Sequence, residues 1–246
     1  MFDATTLYVI LAVAYAAVLR GMAGFGFAIA AVPILSLFIP PLEAVAMAVL
    51  LQVVVGLHDL VKLRGAVHRP SLLRLCAGSL IGTPLGIWAL SALSPDAARM
   101  AIAVLVLGGL AMLLRYKPAT PQPHSGLALL AGVASGAFSG LAAMPGPPAV
   151  VYYLGAGTPP AQTRASLLLF FFVASVIAVP GLWLAGAIDG EVLWLTAISV
   201  PPMALGTWAG TAAFARLDHA QYRKIAIAVM AISAVLAGWR GLSVYL

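Results

Sequence analysis

Two glycine- and proline-rich interruptions in apolar sequence hold the residues best suited to chemistry in this chain. The first is Gly21-x-x-Gly24-x-Gly26, and the second is Gly136-x-x-x-Gly140-x-x-x-x-Pro145-Gly146-Pro147-Pro148. Neither can be unbroken helix, because proline lacks the backbone donor and clustered glycine is a weak helix former. Backbone N–H groups freed at a helix N-terminus attract an anion, since the unpaired donors act together with the helix dipole. The interruptions therefore predict two facing helix ends around a small anion. The candidate binding residues there are Gly24, Phe25, Gly26, Gly140, Pro145 and Gly146.

Close helix packing is the alternative explanation for such glycines, because small residues four apart let two helices approach in lipid. We assign Gly78-x-x-x-Gly82-x-x-x-Gly86 and Gly206-x-x-x-Gly210 to packing. For the two interruptions we favour the functional role, because both occur and both lie at matching places in the two halves of the chain.

Two arginines are candidates for the positive side of an anion site. Arg20 follows a long apolar segment and precedes the first interruption, so it is either a functional charge inside the membrane or a side chain that reaches a membrane boundary. Arg164 opens a later apolar segment. It would either bind a carboxylate or sulfonate with both arms or serve as a positive anchor at the membrane surface.

Polar residues in the third apolar segment offer a further ligand and a titratable pair. Gln52 lies in the middle of that segment, where a lone amide needs a ligand or a neighbouring helix as its partner. His58 and Asp59 could couple transport to protons, and the alternative is an ion pair with nearby Lys62 and Arg64 at the membrane boundary.

The composition requires a membrane. The chain is 63% hydrophobic and 8% charged, where a soluble domain has about a quarter charged residues. Its start, Met1-Phe2-Asp3, lacks the positive charge of a secretory signal.

Ten apolar segments are expected: about 5–19, 24–39, 42–61, 71–93, 97–114, 126–139, 145–156, 164–187, 190–215 and 219–239. The first, second, sixth and seventh fall short of the roughly 20 residues that span a bilayer. We therefore expect each short pair to form a broken hairpin.

Basic residues decide the topology. If each half is a hairpin plus three spans and the N-terminus lies outside, ten lysines and arginines fall on the cytoplasmic side and two outside. If each glycine-rich pair is one long span, seven fall inside and five outside. The first arrangement obeys the positive-inside rule better and predicts two inverted-topology repeats.

The chain repeats itself. Gly82-Thr83-x-x-Gly86-x-x-Ala89-x-x-x-Leu93 recurs 124 residues later as Gly206-Thr207-x-x-Gly210-x-x-Ala213-x-x-x-Leu217, and the upstream parts match at an offset near 120. The predicted fold is thus an all-α polytopic membrane protein of two inverted repeats. Residues 1–115 form the first repeat, 116–125 a cytoplasmic linker and 126–246 the second repeat, within one membrane domain.

The first interruption, Arg20-Gly21-Met22-Ala23-Gly24-Phe25-Gly26-Phe27-Ala28 followed by Pro33-Ile34-Leu35, resembles the first signature of the sulfite exporter TauE/SafE family. The family's second signature is a glycine-rich stretch ending near Gly-Gly-Pro, and Pro145 and Pro147 replace expected glycines here. The resemblance spans the chain and implies transport of sulfite, thiosulfate, sulfoacetate or similar small anions across the cytoplasmic membrane.

These observations predict a secondary transporter for a small anion, sulfite or an organosulfonate such as sulfoacetate, working by alternating access in the inner membrane. An anion channel and a non-transporting accessory subunit are the alternatives. No phosphate-binding loop, zinc-protease motif or nucleophile elbow occurs, so we expect neither an enzyme nor a bound cofactor. Cys76 is the single cysteine, and the four histidines have no ligand spacing, so no metal is expected. The expected partners are the substrate and the lipid bilayer but no nucleic acid, and the small-residue faces leave a homodimer open.

Overall fold

The computed structural model describes residues 3–23, 26–62, 67–115 and 125–214. Within these ranges all regular structure is helical. The helices are α1 (Ala4–Ala23), α2 (Phe27–Leu35), α3 (Pro41–Lys62), α4 (Arg69–Ser91), α5 (Pro95–Arg115), α6 (Ser125–Ala142), α7 (Gly146–Gly155), α8 (Pro160–Leu184) and α9 (Gly190–Phe214). Six of them are long and apolar enough to cross a membrane: α1, α3, α4, α5, α8 and α9. The all-helical membrane class is therefore confirmed. The predicted tenth segment, 219–239, lies outside the described residues.

The first predicted segment is longer than expected. Hydropathy predicts 5–19, too short to span, but α1 has 20 residues and continues through Arg20 and Gly21. Arg20 can stay helical because its charge is paired with Asp59. Gly21 fits against α9, where an added Cβ would overlap the backbone of Thr207. Asp59 and the α9 backbone are distant in sequence, so local hydropathy alone places the end of the segment too early.

The first two helices form a hairpin. Tyr8 near the start of α1 stacks on Phe38 just after α2, with ring centroids 5.0 Å apart. The chain therefore returns to its starting side before α3 begins. In the second half, Ala128 near the start of α6 shares one buried cluster with Tyr152 and Ala156 near the end of α7, so this pair folds back in the same way.

Glycine contacts join the two halves along two seams. Gly82 and Gly86 of α4 face Val133 and Ala137 of α6, so tightly that an added Cβ would overlap the opposite carbonyl oxygens. Gly206 and Gly210 of α9 meet Ala14 and Val18 of α1 in the same manner. In both seams residue numbers rise together, so α4 runs parallel to α6 and α1 runs parallel to α9. The predicted packing role of these glycines is confirmed.

The direction of α8 follows from two contacts with the region of α4. The His68 N–H donates to Ser166 Oγ at 2.9 Å near the starts of α4 and α8, and an added Cβ on Gly181 would lie 2.7 Å from Ile87 Cδ1 near their ends. The two helices are therefore parallel. The chain has only residues 63–68 between α3 and α4, which reach about 24 Å at most, whereas each helix is about 33 Å long. Thus α4 runs opposite to α3, and so does α8.

These directions sort the charges to the two ends of the bundle. We call the end where α4, α6 and α8 begin the basic end. Its described basic side chains are exposed: Arg69, Arg74, Arg115 and Arg164. We call the end where α1, α3, α5 and α9 begin the acidic end. It carries Asp3, Glu43, Asp96, Asp189 and Glu191, with Arg99 paired to Asp96. The N–H and hydroxyl of Thr6 both donate to Asp3 there, and these bonds hold the pKa of the exposed carboxyl below its usual range.

Candidate functional site

The two helix hairpins turn at the middle of the bundle. In the first, α1 ends at Ala23 and α2 begins after Gly26, whose φ of 91° lies in the left-handed region that favours glycine. In the second, α6 ends at Ala142 and α7 begins at Gly146, with Ala143 at φ 53°. Both predicted interruptions are therefore real breaks. Gly24 and Phe25 lie outside the described residues.

The breaks meet around one small cavity. It encloses about 280 Å³ when its open mouth is counted. Among its described lining residues, Gln52 and Phe171 come from long helices, and the others come from the two breaks and the first turns of α2 and α7. The described lining residues are Gly26, Phe27, Ala28, Ile29, Gln52, Ala143, Met144, Pro145, Gly146 and Phe171. Because Gln52 lies at the middle of α3, the cavity lies near the middle of the membrane-spanning height.

The two helix ends offer unequal numbers of hydrogen-bond donors to this cavity. The first four N–H groups of a helix have no partner within it. At α2 these belong to Gly26, Phe27, Ala28 and Ile29, and no side chain caps the helix. At α7 three of the four positions are proline, so Gly146 alone has an N–H there. The first break therefore supplies most of the donors, although both helix dipoles direct their positive ends toward the break region.

Gln52 connects the two halves of the chain at the cavity. Its Nε2 donates to the carbonyl oxygen of Ala143 at 2.9 Å and to that of Ala48 at 3.3 Å. Both partners are carbonyl oxygens, so the orientation of the amide is fixed by its surroundings. Gln52 thus lines the cavity, which is the position expected of a substrate-binding residue. It also forms an interhelical hydrogen bond, which is the alternative role predicted for it. Its contact holds the second break in place.

Arg20 is not among the described lining residues of the cavity, and its side chain is paired with Asp59. Arg20 Nη2 donates to Asp59 Oδ2, and the two side chains are only 13% and 21% exposed. His58 is 65% exposed, with Nδ1 3.9 Å from Asp59 Oδ1. The predicted ion pair at the end of α3 is present. Sequence proximity suggests Lys62 or Arg64 as the cation, but in the described residues the cation that pairs with Asp59 is Arg20. Lys62's side chain and all of Arg64 lie outside the described residues.

Two other candidates lie away from the cavity. Arg164 is exposed near the start of α8, seven positions before the lining residue Phe171. Gly140 is inside α6, where an added Cβ would lie 2.6 Å from the Ile87 amide nitrogen, so it packs against α4. The roles of Arg164 and Gly140 in substrate binding stay predictions.

The predicted site residues lacked six of the described lining residues: Phe27, Ala28, Ile29, Ala143, Met144 and Phe171. For Ala143, Met144 and Phe171 the internal repeat contained the signal. An offset of 119 residues, that from Gly21 to Gly140, takes Gln52 to Phe171 and Gly24 to Ala143. Applied to every candidate, this offset would have identified them. In the part of the chain that the structure describes, no three His, Cys, Asp or Glu side chains come together as a metal site would require.

The architecture is that of a polytopic membrane protein with broken helices around a central cavity, a class that includes many secondary transporters. Residues 9–237 match the family described as sulfite exporter TauE/SafE. The chain belongs to this family, which confirms the resemblance drawn from its first glycine-rich motif. Members of this family are transporters, so the prediction that the chain is not an enzyme is confirmed.

One curated relative is the probable sulfite/organosulfonate exporter TauE of Cupriavidus necator. It is 28% identical over 157 residues, which cover 62% of this chain and 61% of the relative. The matched region thus spans less than two thirds of that relative's length. No solved structure matches the chain significantly.

Proposed function

We propose that the protein is a secondary transporter that moves a small anion, sulfite or a small organosulfonate, across the cytoplasmic membrane by alternating access. The observation that carries this proposal is the cavity between two helix breaks at mid-height, in a chain of the TauE/SafE family. The name of the Cupriavidus necator relative refers to the same class of substrates.

Contacts between the helices support two repeats related by a two-fold axis. The proposed two-fold axis matches α1 to α6 and α4 to α9. The seam between α4 and α6 then corresponds to the seam between α9 and α1. Gly86 meets Gly140 across one seam, and Gly210 meets Gly21 across the other. Sequence offsets of 124 and 119 relate these glycines, so the sequence repeat and the packing agree.

Helix directions support inverted repeats over parallel ones. Matched helices must run in opposite directions if the axis lies in the membrane plane, and in the same direction if it lies along the membrane normal. Helix α8 matches α3 and runs opposite to it, as the two α4 contacts require. The distribution of charge supports an orientation in which the basic end faces the cytoplasm and the N-terminus lies outside.

In this proposal the amides of α2 bind the anion. Gly26, Phe27, Ala28 and Ile29 all line the cavity and lie at the positions whose N–H groups are unpaired. Gly146 adds one donor from the opposite side. Gln52 positions the second break through its bond to Ala143.

The Arg20–Asp59 pair provides a closure on the cytoplasmic side. Asp59 lies seven positions beyond Gln52 on the same face of α3, about 10 Å closer to the basic end. The matching positions in the second repeat are Ser139 and Ala178, which are buried and uncharged. Opening toward the cytoplasm would therefore separate an ion pair, and opening outward would separate buried, uncharged residues. Asp59, with His58 beside it, is also where proton coupling would act.

Uptake into proteoliposomes tests the proposal. Vesicles with purified protein should accumulate labelled sulfite, and unlabelled sulfite inside should accelerate its entry by counterflow. A saturable rate with counterflow supports a carrier. Fast, non-saturating flux would indicate a channel, and no flux of sulfite or ethanesulfonate would contradict the proposal.

A further inference from the structure

Two equivalent positions of the internal repeat give the cavity walls of different chemistry. The offset of 119 residues relates Gln52 to Phe171, and both residues line the cavity. Gln52 provides an amide, whose Nε2 donates to the carbonyl oxygens of Ala48 and Ala143. Phe171 provides a ring with no polar atom. The second half of the chain therefore contributes an apolar surface where the first half contributes a polar one.

The ring of Phe171 reaches the second break. A Cβ added to Gly146 would lie 3.7 Å from Phe171 Cζ and 4.0 Å from Phe171 Cε1, which are ordinary van der Waals distances. The outer end of the ring thus lies beside the first residue of α7, which also lines the cavity. Phe171 is only half-buried, so part of its surface stays uncovered by the described residues. Phe27, the other aromatic residue in the described lining, is 2% exposed and has little surface left for a ligand.

Phe171 is the middle residue of a run of three phenylalanines, and its two neighbours have other contacts. Phe170 is fully buried and belongs to the apolar cluster that contains Tyr152. A Cβ added to Gly56 would lie 2.6 Å from Phe172 Cδ2, so Phe172 packs on α3. Neither neighbour is among the described lining residues of the cavity. The run therefore provides one ring for the cavity and two rings for packing between helices.

An aromatic wall acts on one part of an organosulfonate. Burying carbon against a ring is favourable, and it raises affinity by up to about fourfold for each CH2 group that leaves water. The sulfonate oxygens gain nothing there, because a phenyl ring cannot donate the hydrogen bonds that hydrate them in water. Sulfite has no carbon, so the ring distinguishes the two kinds of substrate.

We propose that Phe171 determines specificity for the organic part of the substrate: its ring binds the carbon chain of an alkanesulfonate, while the charged group lies elsewhere in the cavity. This inference rests on the proposed function and assigns a specificity residue to it. The cavity of about 280 Å³ is just below the size range of sites for drug-sized ligands, so it suits chains of a few carbons.

Competition by methane-, ethane-, propane- and butanesulfonate against uptake of labelled sulfite into proteoliposomes tests this role. The four competitors carry the same charged group and differ only in their carbon chains. In the unmodified protein, affinity should rise by up to about fourfold for each added CH2 group. Phe171→Ala should lower this rise to about twofold or less, because most of the apolar contact is lost. Affinities in each variant are expressed relative to that for sulfite, so a general loss of binding does not affect the comparison.

Phe172→Ala is the matched control, because it removes the same ring from the next position of α8, outside the described lining. This control should keep the rise in affinity along the series. Phe171→Leu retains a smaller apolar side chain and should show an intermediate rise, and it replaces Phe171→Ala if that variant does not fold.

The outcomes separate this inference from the proposed function. A rise that is lost in Phe171→Ala and kept in Phe172→Ala supports the inference. An unchanged rise in Phe171→Ala, an equal loss in both variants, or no rise in an unmodified protein that takes up sulfite overturns it and leaves the transporter proposal intact. If the unmodified protein takes up no sulfite, the proposed function fails and the inference fails with it.

Discussion

Replacing Gln52 with methionine removes a side-chain hydrogen bond that ties α3 to the second break. Methionine fills a similar volume but cannot donate, so the Ala143 carbonyl loses its 2.9 Å bond. That carbonyl is then buried without this donor, because Ala143 is only 1% exposed. We expect a less stable second break and weaker anion binding.

The magnitude follows from known energies of such bonds. An unsatisfied buried acceptor costs about 1–3 kcal/mol in soluble proteins, but interhelical bonds in membranes average about 0.6 kcal/mol with a maximum near 1.7. We therefore expect Gln52→Met to lower the free energy of unfolding by about 1 kcal/mol. If the same bond holds the break in its binding shape, the dissociation constant of the anion should rise about fivefold.

Thermal unfolding in detergent, with and without ethanesulfonate, measures both effects. Val54→Met is the matched control, because Val54 lies on the same helix but is 40% exposed on its outer side. The control should retain the stability and the ligand-induced shift of the unmodified protein. If Gln52→Met also retains both, Gln52 does not position the break and the reasoning is refuted.

Three further predictions concern the break, a seam and the ion pair. Ala143→Gly should raise the free energy of unfolding by about 1 kcal/mol, because alanine at φ 53° is strained; an unchanged unfolding midpoint would argue against that strain. Gly82→Val should strongly reduce the yield of folded protein, because the added carbons overlap the Val133 carbonyl, and normal yield would show that the seam can move apart. Arg20→Ala and Asp59→Asn should each lower the free energy of unfolding by about 1–3 kcal/mol, less than for a fully buried pair, because both side chains retain some exposure. Exchanging the two residues should recover part of the lost stability. If the double variant with both Arg20→Ala and Asp59→Asn loses as much stability as the two single changes added together, the two side chains do not pair directly.

The sequence located most helices because hydropathy is a local property. Nine of the ten predicted segments contain a helix, and both breaks lie beside the prolines and glycines that identified them. The prediction of where each break begins was less accurate: Gly21 and Gly140 are inside helices. Glycine is helical where a neighbouring helix packs on it, and only the tertiary contact distinguishes that case from a break.

The partners of polar residues could not be read from the sequence. Arg20 pairs with a residue 39 positions away, and Gln52 bonds to one 91 positions away. Local spacing instead suggests Lys62 and Arg64 as partners of Asp59. The internal repeat does match Gln52 to Phe171, and that match by itself predicts that the two residues occupy equivalent places at the cavity.

Labelling of a single cysteine in the cavity tests the central claim most directly. Cys76→Ser removes the native thiol, and Ala28→Cys then places one at a lining residue that is 4% exposed. A membrane-impermeant maleimide should label this cysteine in proteoliposomes from either side, and saturating ethanesulfonate should slow labelling from both. A cysteine that reacts from both sides and is protected by the anion is the result that alternating access predicts. Labelling that occurs from one side only, or that the anion does not slow, would contradict a transport site at the paired breaks.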